Sequence, residues 1–158
     1  MNDEITDEQF TNCHILADYL DALPDDYDKF KMECFVKFNS KREEDSQIDV
    51  PLFSEHLIES FHECGSSACA LGHAPLAGIH FNGLDHDHFG NLSWYDYSDR
   101  CFIGRRLDYR DYIVAWHFVF SMSWPDCPKE AATRLRVFAT TGVPETWAYD
   151  YKMRYIQK

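Results

Sequence analysis

Residues 64–79, Cys-Gly-Ser-Ser-Ala-Cys-Ala-Leu-Gly-His-Ala-Pro-Leu-Ala-Gly-Ile, constrain the fold of this chain more than any other stretch. Gly65 can take the positive φ that a tight turn needs. Ser66 or Ser67 can then cap a helix by accepting a bond from a free backbone N–H. The run from Ala68 to Ala74 predicts a short helix that Pro75 ends or bends. Ala68 and Gly72 lie one turn apart, as do Ala70 and Ala74, and small residues at that spacing let another backbone come close. Gly72 costs about 1 kcal/mol of helix propensity relative to Ala, a cost that makes sense where a Cβ would clash. The expectation is a buried turn and helix with Gly72 against another backbone, the best candidate being the aromatic helix around Trp116.

The same stretch carries side chains capable of chemistry. Cys69 and His73 share a helix face at i and i+4, and Cys64 precedes them, giving C-x4-C-x3-H. With a fourth ligand from His62, His80, His86 or His88 this set could hold zinc. The usual zinc spacings are not matched, however, and no second C-x-x-C pair follows. Small buried cysteines and a hydrogen-bonded histidine explain the pattern more simply. No cofactor is therefore expected, zinc being the one metal the pattern would admit. A cysteine nucleophile at Cys64 or Cys69 is chemically open, but the small residues around both predict burial. With no Walker-A loop, G-x-G-x-x-G, H-E-x-x-H or G-x-S-x-G in the chain, the reading is a protein that is not an enzyme.

The stretch resembles a signature of small proteins of tailed phages and their bacterial hosts, built on a Cys-Gly-Thr-x-x-Cys-x-x-Gly-His/Trp-Ala core. The structural motif of that core maps onto Cys64, Gly65, Cys69, Gly72 and His73. The resemblance extends to Phe30-Lys31-Met32, to Trp94-Tyr95-Asp96-Tyr97-Ser98, to Trp116 through Trp124, to Ala131-Ala132-Thr133-Arg134-Leu135 and to Gly142-Val143-Pro144, covering roughly residues 10–145. This chain departs from the pattern in having Ser66 where Thr is usual and a polar insertion around Lys41–Asp49. Some members carry Trp where His73 stands, which weakens a metal role. The resemblance implies a phage-type origin and a bacterial host cell, and brings no established activity with it.

The 158 residues carry a net charge of −12, with acid concentrated in the first third. Such a charge disfavours general binding to nucleic acid or to anionic membranes. No apolar run approaches a membrane span, and the start, Met-Asn-Asp-Glu, lacks the basic and apolar regions of a signal peptide. The expected setting is cytoplasmic, with the six cysteines reduced. One domain spanning 1–158 is expected, of mainly α class, with about five helices around a buried aromatic helix and one short strand or hairpin.

Along the chain, Thr6-Asp7-Glu8-Gln9 reads as a capping box opening a helix with Phe10, Cys13, Leu16, Ala17 and Leu20 at helical spacing. Phe30–Phe38 is ambiguous: Met32, Cys34, Val36 and Phe38 alternate as in a short strand, and Phe35 breaks the alternation; residues 39–50 read as a flexible polar loop and Pro51 to Phe61 as a helix. Asp85-His86-Asp87-His88 between glycines is a weak metal-loop pattern. Asp108 to Met122 is the most apolar helix, the expected central one. Asp126 is placed to cap a last helix that begins near Pro128 and ends at Gly142. The aromatic tail from Trp147 to Ile156 is left to pack on the domain or against another chain.

Arg105, Arg106 and Arg110 form the one dense basic cluster. Beside Tyr109 and Tyr112 it suggests contact with an anion or nucleotide. Two functions follow. The first is a non-catalytic phage-type accessory protein that binds a host protein, with an anti-defence or host-modulating role. The second is a protein that sequesters a small anionic ligand or nucleotide signal at that cluster, which requires a concave pocket lined by those groups. A homo-oligomer is compatible with both.

Overall fold

The computed structural model describes residues 2–32, 36–37, 67–80, 94–104 and 107–156. The expected polar loop, the helix from Pro51, Cys64, Gly65, the Asp85–His88 run, Arg105 and Arg106 lie outside the described residues. The elements in order are α1 (Asp7–Asp21), β1 (Val36–Lys37), β2 (Ser67–Ala68), α2 (Ala70–His73) and α3 (Trp94–Ser98), which runs on into a π-helical turn (Asp99–Ile103). After these come α4 (Tyr109–Phe120), α5 (Pro128–Thr141) and α6 (Glu145–Tyr151), the last running on into a second π-helical turn (Lys152–Ile156). The fold is mainly α, as helical periodicity predicts, around one buried cluster rich in aromatic and small side chains. Among the described residues no helix is long and apolar enough to cross a membrane.

Helix α1 starts as its sequence dictates. Thr6 Oγ1 accepts from the Gln9 amide at 3.2 Å, and Gln9 Oε1 accepts from the Thr6 amide at 2.8 Å. Gln9 does more than cap. Its Nε2 donates to the carbonyls of Asp99 and Arg100 at 3.1 and 3.2 Å, and Asn12 Nδ2 donates to that of Cys101 at 3.0 Å. These buried amides supply donors to carbonyls of the first π-helical turn, where the ordinary helical ladder is interrupted. The turn closes at Gly104, whose φ of +80° suits glycine, and a Cβ there would stand 2.6 Å from the Gln9 amide.

The buried face of α1 (Cys13, Leu16, Ala17, Leu20) and that of α5 (Ala131, Ala132, Leu135, Phe138, Ala139) belong to one core, and these helices make the most extensive helix pair. Alanines on both allow the close approach. Outside the seam, Arg136 bridges Asp18 and Asp21 at 2.7 and 2.5 Å, and Lys129 pairs with Asp25. Asn2 donates from its backbone to the Ala139 carbonyl and from its side chain to that of Phe138, occupying acceptors at the end of α5. The predicted cap of α5 is corrected. Cys127 holds the N-cap position with Pro128 behind it, while the Asp126 carboxylate accepts from the Met32 amide at 2.7 Å and from Lys31 Nζ at 3.2 Å.

Within residues 64–79, residues 68–75 are buried as expected but fold differently in detail. Ser67–Ala68 is extended and pairs antiparallel with β1, Val36 opposite Ala68. The Ala68 amide donates to the Lys29 carbonyl and its own carbonyl accepts from the Lys31 amide. Backbone pairing thus claims residues that propensity alone assigns to a helix, and α2 is a single turn beginning at Ala70. Its N-cap is Cys69, not Ser66 or Ser67, with Sγ accepting from the Gly72 amide at 3.5 Å. Residues 68–75 are all buried. Tyr19, Tyr27 and Phe30 are gathered around His73, so this turn packs on α1 and the segment after it.

Candidate functional site

Helix α4 opens on Asp108, whose Oδ1 accepts from the Arg110 and Asp111 amides at 2.9 Å each. It buries Val114, Ala115, Trp116, Phe118, Val119 and Phe120 and stops where Ser121 turns extended. Its last carbonyls would then lack helical partners. Trp124 supplies one: Nε1 donates to the carbonyls of His117 and Phe118 at 3.1 and 2.8 Å. This fixes the indole at the end of α4. On one side of it lies the Arg134 guanidinium, 4.4 Å from the ring centroid and almost fully buried, a cation–π contact. Burial lowers the Arg134 pKa to about 10 against the opposing pull of Glu130, and Nε and Nη2 have no hydrogen-bond partner among the described residues.

From Trp124 a column of rings continues along the C-terminal helix. Trp147 stacks on Trp124 with centroids 6.1 Å apart and Tyr151 on Trp147 at 5.2 Å, while Tyr155 is tilted against Tyr151 at 4.9 Å. The 147, 151, 155 spacing places all three on one side of the helix, and the π-helical turn, with its slower rotation, carries that alignment to Tyr155. His117 meets Tyr151 at 5.0 Å, and burial lowers its pKa. Lys152 fastens the helix to α4 through Asp111 at 2.7 Å. Between the ring column and the end of α4 lies a concavity of about 440 Å³, with His117, Ser121 and Ser123 on one side and Trp147, Tyr151 and Tyr155 on the other. Asp150 and Arg154 also reach it. Met122, 71 % exposed, follows directly on the α4 end.

Of the predicted basic cluster, Tyr109, Arg110 and Tyr112 are described and do not line this groove, while Arg105 and Arg106 lie outside the described residues. Tyr109 is 78 % exposed and Arg110 is exposed beside it at the start of α4. The Tyr112 hydroxyl is turned inward, 3.2 Å from Ser98 Oγ and 3.4 Å from the Tyr95 carbonyl. Tyr109 and Tyr112 share a depression of about 360 Å³ whose described lining includes Asp96 and Asp99. Of the three candidate zinc ligands, Cys69 and His73 are described. His73 is fully buried, with Nδ1 2.8 Å from the Cys69 carbonyl and Nε2 3.0 Å from the Tyr27 hydroxyl. The consistent tautomer carries the proton on Nδ1 and accepts from Tyr27 at Nε2. Desolvation holds its pKa down at about 4, the carbonyl bond opposing, and both ring nitrogens are engaged within the core. The stacked column was not singled out from sequence, although W-x3-Y-x3-Y at 147, 151 and 155 is a readable signal.

Comparison with protein-family models, with curated proteins and with solved structures finds no match in any of the three.

Proposed function

We propose that this chain is a non-catalytic accessory protein of the phage type its central motif resembles, and that it acts by binding a host protein through the C-terminal aromatic groove. One observation carries the reading: Trp124, Trp147, Tyr151, Tyr155 and Arg154 gather around a single concavity, and Trp, Tyr and Arg are the residues in which binding hot spots are enriched. Tyr155 in the lining is exposed, as is Met122, which lies in sequence between the lining residues Ser121 and Ser123; exposed apolar side chains close to a pocket support a protein partner. The acidic balance of the chain favours a partner with a basic surface. A second reading has one specific support. The groove volume lies within the roughly 300–1,000 Å³ typical of small-ligand pockets, and its ring faces suit a planar ligand.

The test is identification of proteins captured from a bacterial host, followed by reconstitution with the purified partner. Met122→Glu, between two lining residues in sequence, is expected to weaken that binding at least tenfold while leaving the melting temperature unchanged. An unaltered affinity would move the contact away from the groove. A partner-free preparation that retains a small molecule in native mass spectrometry would favour the second reading.

A further inference from the structure

The lining of the C-terminal groove selects among the ways in which a protein surface takes hold of a peptide. One wall is α6 with its π-helical turn, and the other is the end of α4 with the turn after it. Among the described residues neither wall offers a strand edge, and the carbonyls of His117 and Phe118 already accept from Trp124. A partner strand therefore has no backbone ladder to join. A partner helix would press aliphatic anchors into an apolar groove, and no described lining residue is aliphatic. What this groove presents is aromatic rings and hydrogen-bond donors.

Both suit a polyproline II segment. Such a segment makes no internal hydrogen bonds, so its carbonyls are free acceptors, and its proline rings pack in aromatic-lined grooves. The Trp147 indole and the Tyr151 and Tyr155 hydroxyls belong to the lining and make no hydrogen bond among the described residues. Trp147 and Tyr151 are half-buried and Tyr155 is exposed, so a ligand can reach them. The dimensions agree. Centroid intervals of 5.2 and 4.9 Å set the length of the column from Trp147 to Tyr155. One polyproline II turn, three residues at about 3.1 Å each, covers about 9.3 Å. Prolines three residues apart lie on one side of that helix, so each end of the column can receive one. Charge adds a preference. Asp150, the one carboxylate in the described lining, has no ion pair among the described residues, whereas Arg154 stands 6.0 Å from the Tyr155 ring centroid. In a chain with a net charge of −12, a basic residue beside the prolines is favoured at the Asp150 end.

We propose that the groove takes a proline-rich segment of its partner in the polyproline II conformation. The prolines lie on the ring column, their carbonyls accept from Trp147, Tyr151 and Tyr155, and a flanking basic residue meets Asp150. The inference rests on the reading of this groove as the host-binding surface, and it names what the partner must carry there. A segment already extended before it binds loses little conformational freedom, which suits a site of only about 440 Å³.

A synthetic polyproline peptide with a lysine at each end tests this on the purified chain, read by tryptophan fluorescence and by the indole N–H resonance of Trp147. Saturable binding that shifts this resonance is expected. The same peptide with alanine in place of proline is expected to bind at least about tenfold more weakly. Tyr151→Phe keeps the ring and removes one donor, and is expected to weaken binding about threefold to tenfold. Asp150→Lys is expected to weaken the lysine-flanked peptide and to leave an uncharged polyproline peptide unaffected. No saturable binding, equal binding of the proline and alanine peptides, or full affinity in Tyr155→Ala overturns the proposal. The captured host partner separates this proposal from the reading it rests on. A partner that Met122→Glu releases but the proline peptide does not displace overturns the proposal and leaves the groove reading standing. Polyproline binding in the groove with no host protein captured leaves the proposal standing and removes that reading.

Discussion

The packing around His73 and the ring column at the C terminus are both aromatic, and they use their polar atoms in opposite ways. His73 is enclosed by Tyr19, Tyr27 and Phe30, and each of its nitrogens has a partner inside the core. Gln9, Asn12 and Asn2 do likewise on the neighbouring side of α1. At the other end, no residue of α6 or its π-helical turn is buried. That helix is held by ring faces and by Lys152 on Asp111, and it leaves Asp150, Arg154 and several ring edges facing water. A region whose polar groups are satisfied internally has nothing left for a partner. A region fixed by exposed stacking contributes little to the fold and keeps its contacts available. The two therefore divide stability from recognition, and four substitutions or titrations test that division.

The largest effect belongs in the α1–α5 seam. Phe138 is fully buried, so Phe138→Ala is expected to cost about 3–5 kcal/mol through lost transfer energy and an unfilled cavity. Urea unfolding reads this directly. A loss below about 1 kcal/mol would show that cohesion lies elsewhere, in the ring column for instance.

The next effect is a pH dependence. The folded pKa of His73 is about 4, below the 6.5 of an unperturbed imidazole. On acidification the unfolded chain takes up this proton near pH 6.5, and the folded chain does so only near pH 4. The unfolded state thus binds more protons between those values, and stability rises with pH across that window. The contribution is fully present above pH 6.5 and is lost as the pH drops, the loss reaching roughly 3 kcal/mol by pH 4. The imidazole resonances of His73 should report a neutral ring at pH 5.5. A ring that titrates near 6.5 in the native protein would show that it is not sealed in the core.

Gly104 tests the polar side of the same region. Its positive φ and the approach of the Gln9 amide leave no room for a methyl group, so Gly104→Ala is expected to cost about 1–3 kcal/mol. In a Gln9→Ala background the steric part of that cost should disappear and the conformational part remain, making the two changes non-additive. Full additivity by calorimetry would mean that the side chain moves aside freely.

How far these regions were legible from sequence follows the range of the interactions. The capping box of α1, the apolar run of α4 and the Pro128 and Gly142 ends of α5 are local chemistry, and the chain displays them openly. The Cys69–His73 turn was legible as buried but not in its partners, because Ala68 is drawn into backbone pairing with Lys29 and Lys31, far away in sequence. Asp126 was misassigned for the same reason: an amide 94 residues distant competes for its carboxylate. At the candidate groove, Trp124 is placed by carbonyls at the end of α4, an acceptor supply that appears only once the helix has ended. The tail's i, i+4 aromatics were visible, but which side of the helix would face the body was not.

Tyr155 gives the smallest effect on stability and the sharpest contrast with Phe138. It is 62 % exposed and, among the described residues, meets the column through its tilted contact with Tyr151. Much of its surface is wet in the folded protein, so Tyr155→Ala removes little burial, and an exposed aromatic pair contributes about 0.5–1.5 kcal/mol at most. Its neighbours remain in place, since Tyr151 keeps both Trp147 and His117. The melting temperature should therefore move by only a few degrees. If the column is a recognition surface, the same change should weaken partner binding at least tenfold, because an exposed ring at the mouth of a pocket loses its water only in the complex. A variant that loses several kcal/mol of stability would instead make the C-terminal column a second core, and the division between the two aromatic regions would fail.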